Sequence, residues 1–376
     1  MLVSSKPYRT TALRVHSGIG ALAAALVIGC GGDMPSEDVY LTGFPETCTP
    51  DSCEIVLSHV ATISDAFKPG IFPQGELRLV DRDGQGRLFM SSHDGFVVFD
   101  SLGQLITEVG GRGSGPGEFQ LPLPPLIGPG DSVHVFDLHL GRVSVFDSHL
   151  GLARTATVRD RADLVREDGS YITAAQVRTP EAFGFPVHLV TPDGSIVRSF
   201  GADTPQYRPG LRHLMTRKVG PGPGSTIWSA APGRYVLYQW DPDSGTRLKR
   251  IEVASTWFEE VDRWPRSTEP PPPVIQGIWG DDDGLIWVFL LTPGPDWYPI
   301  GHRPVDDAER AIRHDGVLEV IHPGRGTVIA SGRFPELIWA NSASRLLTSP
   351  RTEANDLSIE AFDVWEAYIQ PKEETQ

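Results

Sequence analysis

The sequence is short of several things. It has three cysteines in 376 residues, so it offers no Cys-x-x-Cys pair and no set of thiols able to complete a four-ligand metal site. Asparagine occurs only at Asn341 and Asn355. Positive charge is outnumbered, 33 Lys and Arg against 48 Asp and Glu for a net charge of −15, and a surface of that sign repels phosphate backbones, which argues against a nucleic-acid partner. No apolar run reaches the roughly 20 residues needed to span a bilayer as a helix. His-Glu-x-x-His and Gly-x-Ser-x-Gly are both missing, which removes the usual signatures of zinc proteases and serine hydrolases. Glycine and proline are plentiful instead, 40 and 33 residues, the composition of a chain with many turns and few long helices.

At the N-terminus, Lys6, Arg9 and Arg14 precede any acidic residue, the first of which is Asp33. A compact apolar stretch, Ile19 to Ile28, then ends in Val27-Ile28-Gly29-Cys30. A positive start, a short apolar segment and a small residue at the cut are what export and cleavage require. The stretch resembles the bacterial lipobox, and that resemblance implies a signal peptide over residues 1–29 and lipid attachment at Cys30. Loss of that peptide removes three cations and takes the net charge from −15 to −18. Residues 30–53 read as a lipid-anchored tether, with Cys48-Thr49-Pro50-Asp51-Ser52-Cys53 expected to close a local disulfide loop in an oxidising compartment. Residues 54–370 hold the fold and 371–376 a polar tail.

A repeat dominates residues 54–370. Its clearest unit runs from Glu76 to Gly110: strand Leu77–Asp81, turn Asp83-Gly84-Gln85-Gly86, strand Arg87–Ser91, turn His93-Asp94-Gly95, strand Phe96–Asp100, turn Leu102-Gly103, strand Gln104–Val109. Four short antiparallel strands punctuated by Gly and Asp make one propeller blade. The turn into the second strand recurs at Gly130-Asp131, Asp168-Gly169, Gly224-Ser225, Asp283-Gly284 and Ala343-Ser344. Phe99-Asp100, which ends the third strand, is echoed by Phe146-Asp147, Trp240-Asp241 and Phe362-Asp363. Six units at roughly 40–60 residue spacing predict an all-β, six-bladed β-propeller of four-stranded antiparallel blades. The last unit shows three strands, and Glu54–Ile63 is an unpaired strand-like run at the other end. That run is expected to complete the last blade and close the ring. Two insertions interrupt the pattern, Trp257–Pro273 and Thr292–His314.

Gly110-Gly111-Arg112-Gly113-Ser114-Gly115-Pro116-Gly117-Glu118-Phe119, together with Val80-Asp81, Gly86-Arg87-Leu88-Phe89 and Val98-Phe99-Asp100, is similar to the NHL-repeat signature. In that family a glycine-rich loop links one blade to the next. A phosphate-cradling loop would need a Lys-Ser/Thr ending, which this segment lacks. The whole mature chain resembles the exported six-bladed propellers of bacterial envelopes. Six-bladed propellers also include the gluconolactonase and regucalcin type, whose resemblance would imply a central metal held by Glu, Asn and Asp. Glu76 stands near the matching strand but lacks that family's context, and neither asparagine lies in a matching motif. Asp81-Arg82-Asp83-Gly84 and Asp281-Asp282-Asp283-Gly284 read as turns rather than calcium loops.

A ligand site would be built on the loops that gather at one face of the ring, because a rigid scaffold positions such loops. They carry His93, Asp94, Arg112, Asp137, His139, Arg142, Gln176, Arg178, Arg351 and Glu353. Arg112, Asp137, His139, Arg142, Arg178 and Arg351 are the candidate ligand-binding residues, suited to an anionic or sugar ligand. The leading expectation is a non-catalytic binding or scaffold propeller at the cell envelope, needing no metal or other cofactor. It would meet the membrane through Cys30, and a small ligand or an envelope protein elsewhere. The alternative is a metal-dependent lactonase-like or lyase-like enzyme at the channel mouth. Trp257, Phe258 and Trp264 in one insertion, and Trp297 and Tyr298 in the other, could form a partner or glycan surface or pin their loops to the scaffold, and pinning is expected for Trp264.

Overall fold

A computed structural model of the chain describes residues 48–72, 79–158, 160–175, 179, 182–202, 216–260, 268–299, 307–335, 337–351 and 360–372. These residues form six four-stranded antiparallel sheets. The chain enters through β1 (Cys53–Ser64) and builds blade one from β2 (Asp81–Arg82), β3 (Leu88–Ser92), β4 (Gly95–Phe99) and β5 (Leu105–Gly110). Blade two is β6 (Leu126–Gly128), β7 (Ser132–Asp137), β8 (Arg142–Phe146) and β9 (Leu152–Thr157). Blade three is β10 (Leu164–Val165), β11 (Tyr171–Ala174), β12 (Val187–Val190) and β13 (Ile196–Phe200), and blade four is β14 (Lys218–Pro221), β15 (Ile227–Ala230), β16 (Val236–Asp241) and β17 (Thr246–Glu252). Blade five has the longer strands β18 (Val274–Gly280), β19 (Ile286–Pro293), β20 (His314–His322) and β21 (Thr327–Pro335), and blade six ends the chain with β22 (Trp339–Asn341), β23 (Leu346–Pro350) and β24 (Ala361–Pro371).

Blade six is completed by β1, which pairs antiparallel with β24 from Cys53 opposite Pro371 to Ser64 opposite Ala361. The first strands of successive blades touch in order, β2 to β6, β6 to β10, β10 to β14, β14 to β18 and β18 to β22. The last join is side-chain to backbone, with Asn341 Nδ2 donating to the Val80 carbonyl at 3.0 Å. The six-bladed propeller expected from the repeat is therefore the observed fold, with the first strands around its axis.

Middle strands are buried along their whole length, as in β3 and β4, because both faces of a blade meet a neighbour. Outer strands alternate exposure, as in β5. Between blades one and two, Phe89, Phe96 and Val98 meet Val133, Val135 and Phe146, and Phe119 fills the space between them. Phe119 ends the glycine-rich segment, so that loop links the two blades and plugs their interface. Cys48 and Cys53 are disulfide-bonded and buried in the core shared by blades five and six. The bridge thus lies within the fold, and β1 starts at Cys53 itself.

Trp257 donates its indole N–H to Glu319 Oε1 at 2.9 Å and Phe258 packs on Tyr235, so this part of the first insertion is pinned to blades four and five. Trp264 lies outside the described residues. The second insertion is the connection between β19 and β20. It carries a short helix, α1 (Asp307–Arg313), in a chain whose composition favours turns.

Candidate functional site

Antiparallel order fixes which groups share a face. The first strand of each blade runs away from its inter-blade loop and the second returns, so the start of every first strand lies with the second-to-third-strand connections. Most of the residues expected at a site belong to that face.

Asp137 ends β7 and is buried. Its Oδ2 accepts from the amides of Gln120 and Leu121 at 2.6 and 3.1 Å, and its Oδ1 accepts from Leu140 at 2.9 Å. Arg142 opens β8 and donates to the carbonyls of Ser114, Gly115 and Glu118 at 3.0, 3.0 and 2.6 Å. Together they clasp the glycine-rich loop, which leaves their hydrogen-bonding capacity mostly committed to backbone. Arg112 and His139 are exposed beside this clasp. Arg351 lies apart, 3.5 Å from Thr62 Oγ1 and 4.0 Å from Asp363 Oδ1. Arg178, Gln176, Glu353 and Cys30 lie outside the described residues.

A second group went unmarked in the sequence: Arg161 and Asp163, just before β10, and Lys218 at the start of β14. These two first strands are neighbours around the axis. Asp163 Oδ2 accepts the Ala174 amide at 2.6 Å. Burial raises the Asp163 carboxyl above its ordinary range, against the pull of Arg161, the Ala174 amide and Lys218. Burial also lowers the Lys218 ammonium, opposed by Asp163 and helped by Arg161. Both residues keep some accessible surface, as groups recessed in a channel mouth do, surrounded by protein yet reached by water. Among the described residues neither cation forms an ion pair with Asp163, and Arg161 Nε is buried without a hydrogen bond. Two basic groups and one carboxyl group thus interact in a low-dielectric part of an acidic protein, an arrangement that an incoming anion would complete. The sequence signal was faint, because charged residues before a short strand look like any solvated turn.

The carboxylates at the opposite ends of the first strands are spent locally. Asp81 accepts from the amides of Arg82 and Ile127, both at 2.8 Å. Asp83 accepts from the amides of Gln85 and Arg87 and from Arg87 Nε at 2.6 Å. Asp281 takes the Leu285 amide and the Trp287 indole, each at 2.8 Å. Turn chemistry accounts for Asp83 and Asp281, and Asp81 ties β2 to the next blade through Ile127. Among the described residues no three or more His, Cys, Asp or Glu side chains gather as a metal site. Asn341 bridges Val80 and the Ala343 amide, while Glu76 and Asn355 lie outside the described residues.

No protein-family model matches the sequence, and no curated protein matches it. Solved structures do share the fold. A member of the duf4221 family from Bacteroides vulgatus superposes with a TM-score of 0.53 at 11% identity, over 85% of this chain and 99% of that one. A protein from Bacteroides fragilis, named as exported, gives 0.51 at 9% identity, over 88% and 98%. Likeness to virginiamycin B lyase from Staphylococcus aureus is looser, 0.39 at 10% identity over 84% and 99%, and carries no argument. At such identities the likeness speaks for the fold, and the chain is similar to these propellers in architecture alone.

Proposed function

We propose that the chain is an exported, lipid-anchored propeller of the bacterial envelope that binds an anionic ligand at its channel mouth without transforming it. The observation that carries the ligand class is the buried set Arg161, Asp163 and Lys218, two basic groups to one carboxyl group, among which no ion pair closes in the described residues. Export rests on residues 1–29, anchoring on Cys30, and the NHL-like reading on the loop Gly110–Phe119. A disulfide between Cys48 and Cys53 suits an oxidising compartment. Residues 30–47 serve as the tether, shorter than the 30–53 expected because Cys48 and Cys53 are buried in the core of blades five and six, and residues 48–371 form the ligand-binding ring.

Thermal denaturation with a panel of small inorganic anions tests the reading. A ligand at about a hundred times its Kd stabilises the native state by about 2.7 kcal/mol. That raises Tm by several degrees, and the rise disappears in Lys218→Met. Turnover of lactones or esters that a chelator abolishes would instead make the protein an enzyme.

A further inference from the structure

The last turn of α1 and the start of β20 border, with β18 and the residues before it, a pocket of about 290 Å³. Pro271, Pro272, Val274 and Leu291 form its apolar wall, and Gln276, Arg310, Arg313 and His314 its polar one. The polar wall is held rigidly. Ala311 of α1 is buried among Ile338, Trp339 and their neighbours, which fixes the turn of helix bearing both arginines. Arg313 is buried, donates from Nε to the Tyr298 carbonyl at 2.9 Å, and lies 5.4 Å from the ring centres of both Trp297 and Tyr298.

Among the described residues, two nearby carboxylates, Asp315 and Glu309, are already engaged. Asp315 accepts from Arg333 Nε at 2.5 Å, and Glu309 accepts from the Tyr298 hydroxyl at 2.6 Å. Among the described residues, neither Arg310 nor Arg313 forms an ion pair. His314 turns Nδ1 toward the Arg310 carbonyl at 3.1 Å. Its imidazole is held below its ordinary value by burial and then by the charges of Arg313 and Arg310, with Asp315 opposing. His314 therefore lines the pocket as a neutral hydrogen-bonding group. Two arginines lining a half-enclosed space opposite apolar residues, with Arg313 held in place by Tyr298 and Trp297, suit a molecule with one anionic end and one apolar end.

We infer that this pocket binds a small amphipathic organic acid, its carboxylate on Arg310 and Arg313 and its apolar body against Pro271, Pro272, Val274 and Leu291. Small-molecule sites span about 300–1,000 Å³, so this pocket admits a single ring or short acyl chain and excludes an oligosaccharide or peptide. The site is separate from the recess at Asp163 and does not depend on it.

Calorimetric titration of the full chain with hexanoate, benzoate, hexan-1-ol and inorganic phosphate tests the assignment. Hexanoate or benzoate binds, and hexan-1-ol and phosphate bind at least tenfold more weakly. Arg310→Gln weakens the acid about ten- to a hundredfold, the loss expected for a charge-assisted hydrogen bond. Lys218→Met leaves the acid's affinity unchanged. Val274→Phe, which fills the pocket without altering charge, abolishes acid binding and covers the case in which Arg310→Gln fails to fold. The assignment falls if hexan-1-ol matches hexanoate, if neither acid binds, or if Val274→Phe binds as the wild type does.

Discussion

His134 and Asp81 are buried titratable groups with opposite responses to acid. His134 Nε2 meets Ser132 Oγ at 3.0 Å and Nδ1 meets the Tyr171 hydroxyl at 3.1 Å, while Arg154 donates to that same hydroxyl. Burial, and then the Arg154 charge, lower the imidazole to about 4. Between pH 6.5 and 4 the unfolded chain takes up a proton that the native state lacks, so His134 costs about 3 kcal/mol of stability as pH falls. Asp81 behaves the other way. Burial raises it to about 6 against the pull of the Ile127 and Arg82 amides. From pH 6 down to 3.8 the native state binds a proton that the unfolded chain does not, which returns about 2 to 3 kcal/mol. The two contributions oppose over one window. Relative to wild type, His134→Phe gains stability between pH 7 and 4, whereas Asp81→Asn loses it. Urea denaturation of all three proteins at both pH values checks this, and parallel pH slopes would refute it.

At the scale of strands and turns, much of the fold is legible because the punctuation has a mechanism. Asp100 follows β4 directly and its Oδ1 accepts the amides of Leu102 and Gln104, both at 2.9 Å. Asp147 repeats the pattern with the amides of His149 and Gly151. An aromatic residue followed by Asp is thus a buried strand end followed by a side-chain-closed turn, readable from residue types alone. The glycine of such turns also meets a neighbouring blade. Gly103 has φ +83°, and a Cβ there would lie 2.2 Å from the Thr62 carbonyl oxygen of β1. Gly224 has φ +63° with open space around it. Gly224→Ala should cost about 1–2 kcal/mol for the left-handed backbone alone. Gly103→Ala adds a backbone clash and should cost clearly more, which denaturant midpoints will show; equal losses would mean the blades can part cheaply. The candidate site was less legible. Asp137 and Arg142 sit on the expected face, but their partners are backbone groups that no residue pattern announces. Arg161 and Lys218 are separated by the whole of blade three, so only ring geometry brings them together.

For the whole ring, closure is the step that depends on both ends of the chain. Without β1, β24 would present an open edge from Ala361 to Pro371, and the buried Ile55, Ala61 and Ile63 would leave the interfaces of blade six. An exposed edge of that length invites pairing with other chains. The disulfide just before β1 contributes differently. Cys48 and Cys53 are five residues apart, a loop for which the chain-entropy account gives only about 2 kcal/mol. The two devices therefore separate experimentally. A double Cys48→Ser, Cys53→Ser variant should remain a monomeric propeller with modestly lower stability. A chain starting at residue 65 should lose the cooperative transition or assemble through β24. Size-exclusion chromatography with thermal denaturation distinguishes these outcomes. A truncated chain that stays monomeric and melts near the wild-type Tm would show that five complete blades and a three-stranded sixth suffice, and that closure by β1 is dispensable.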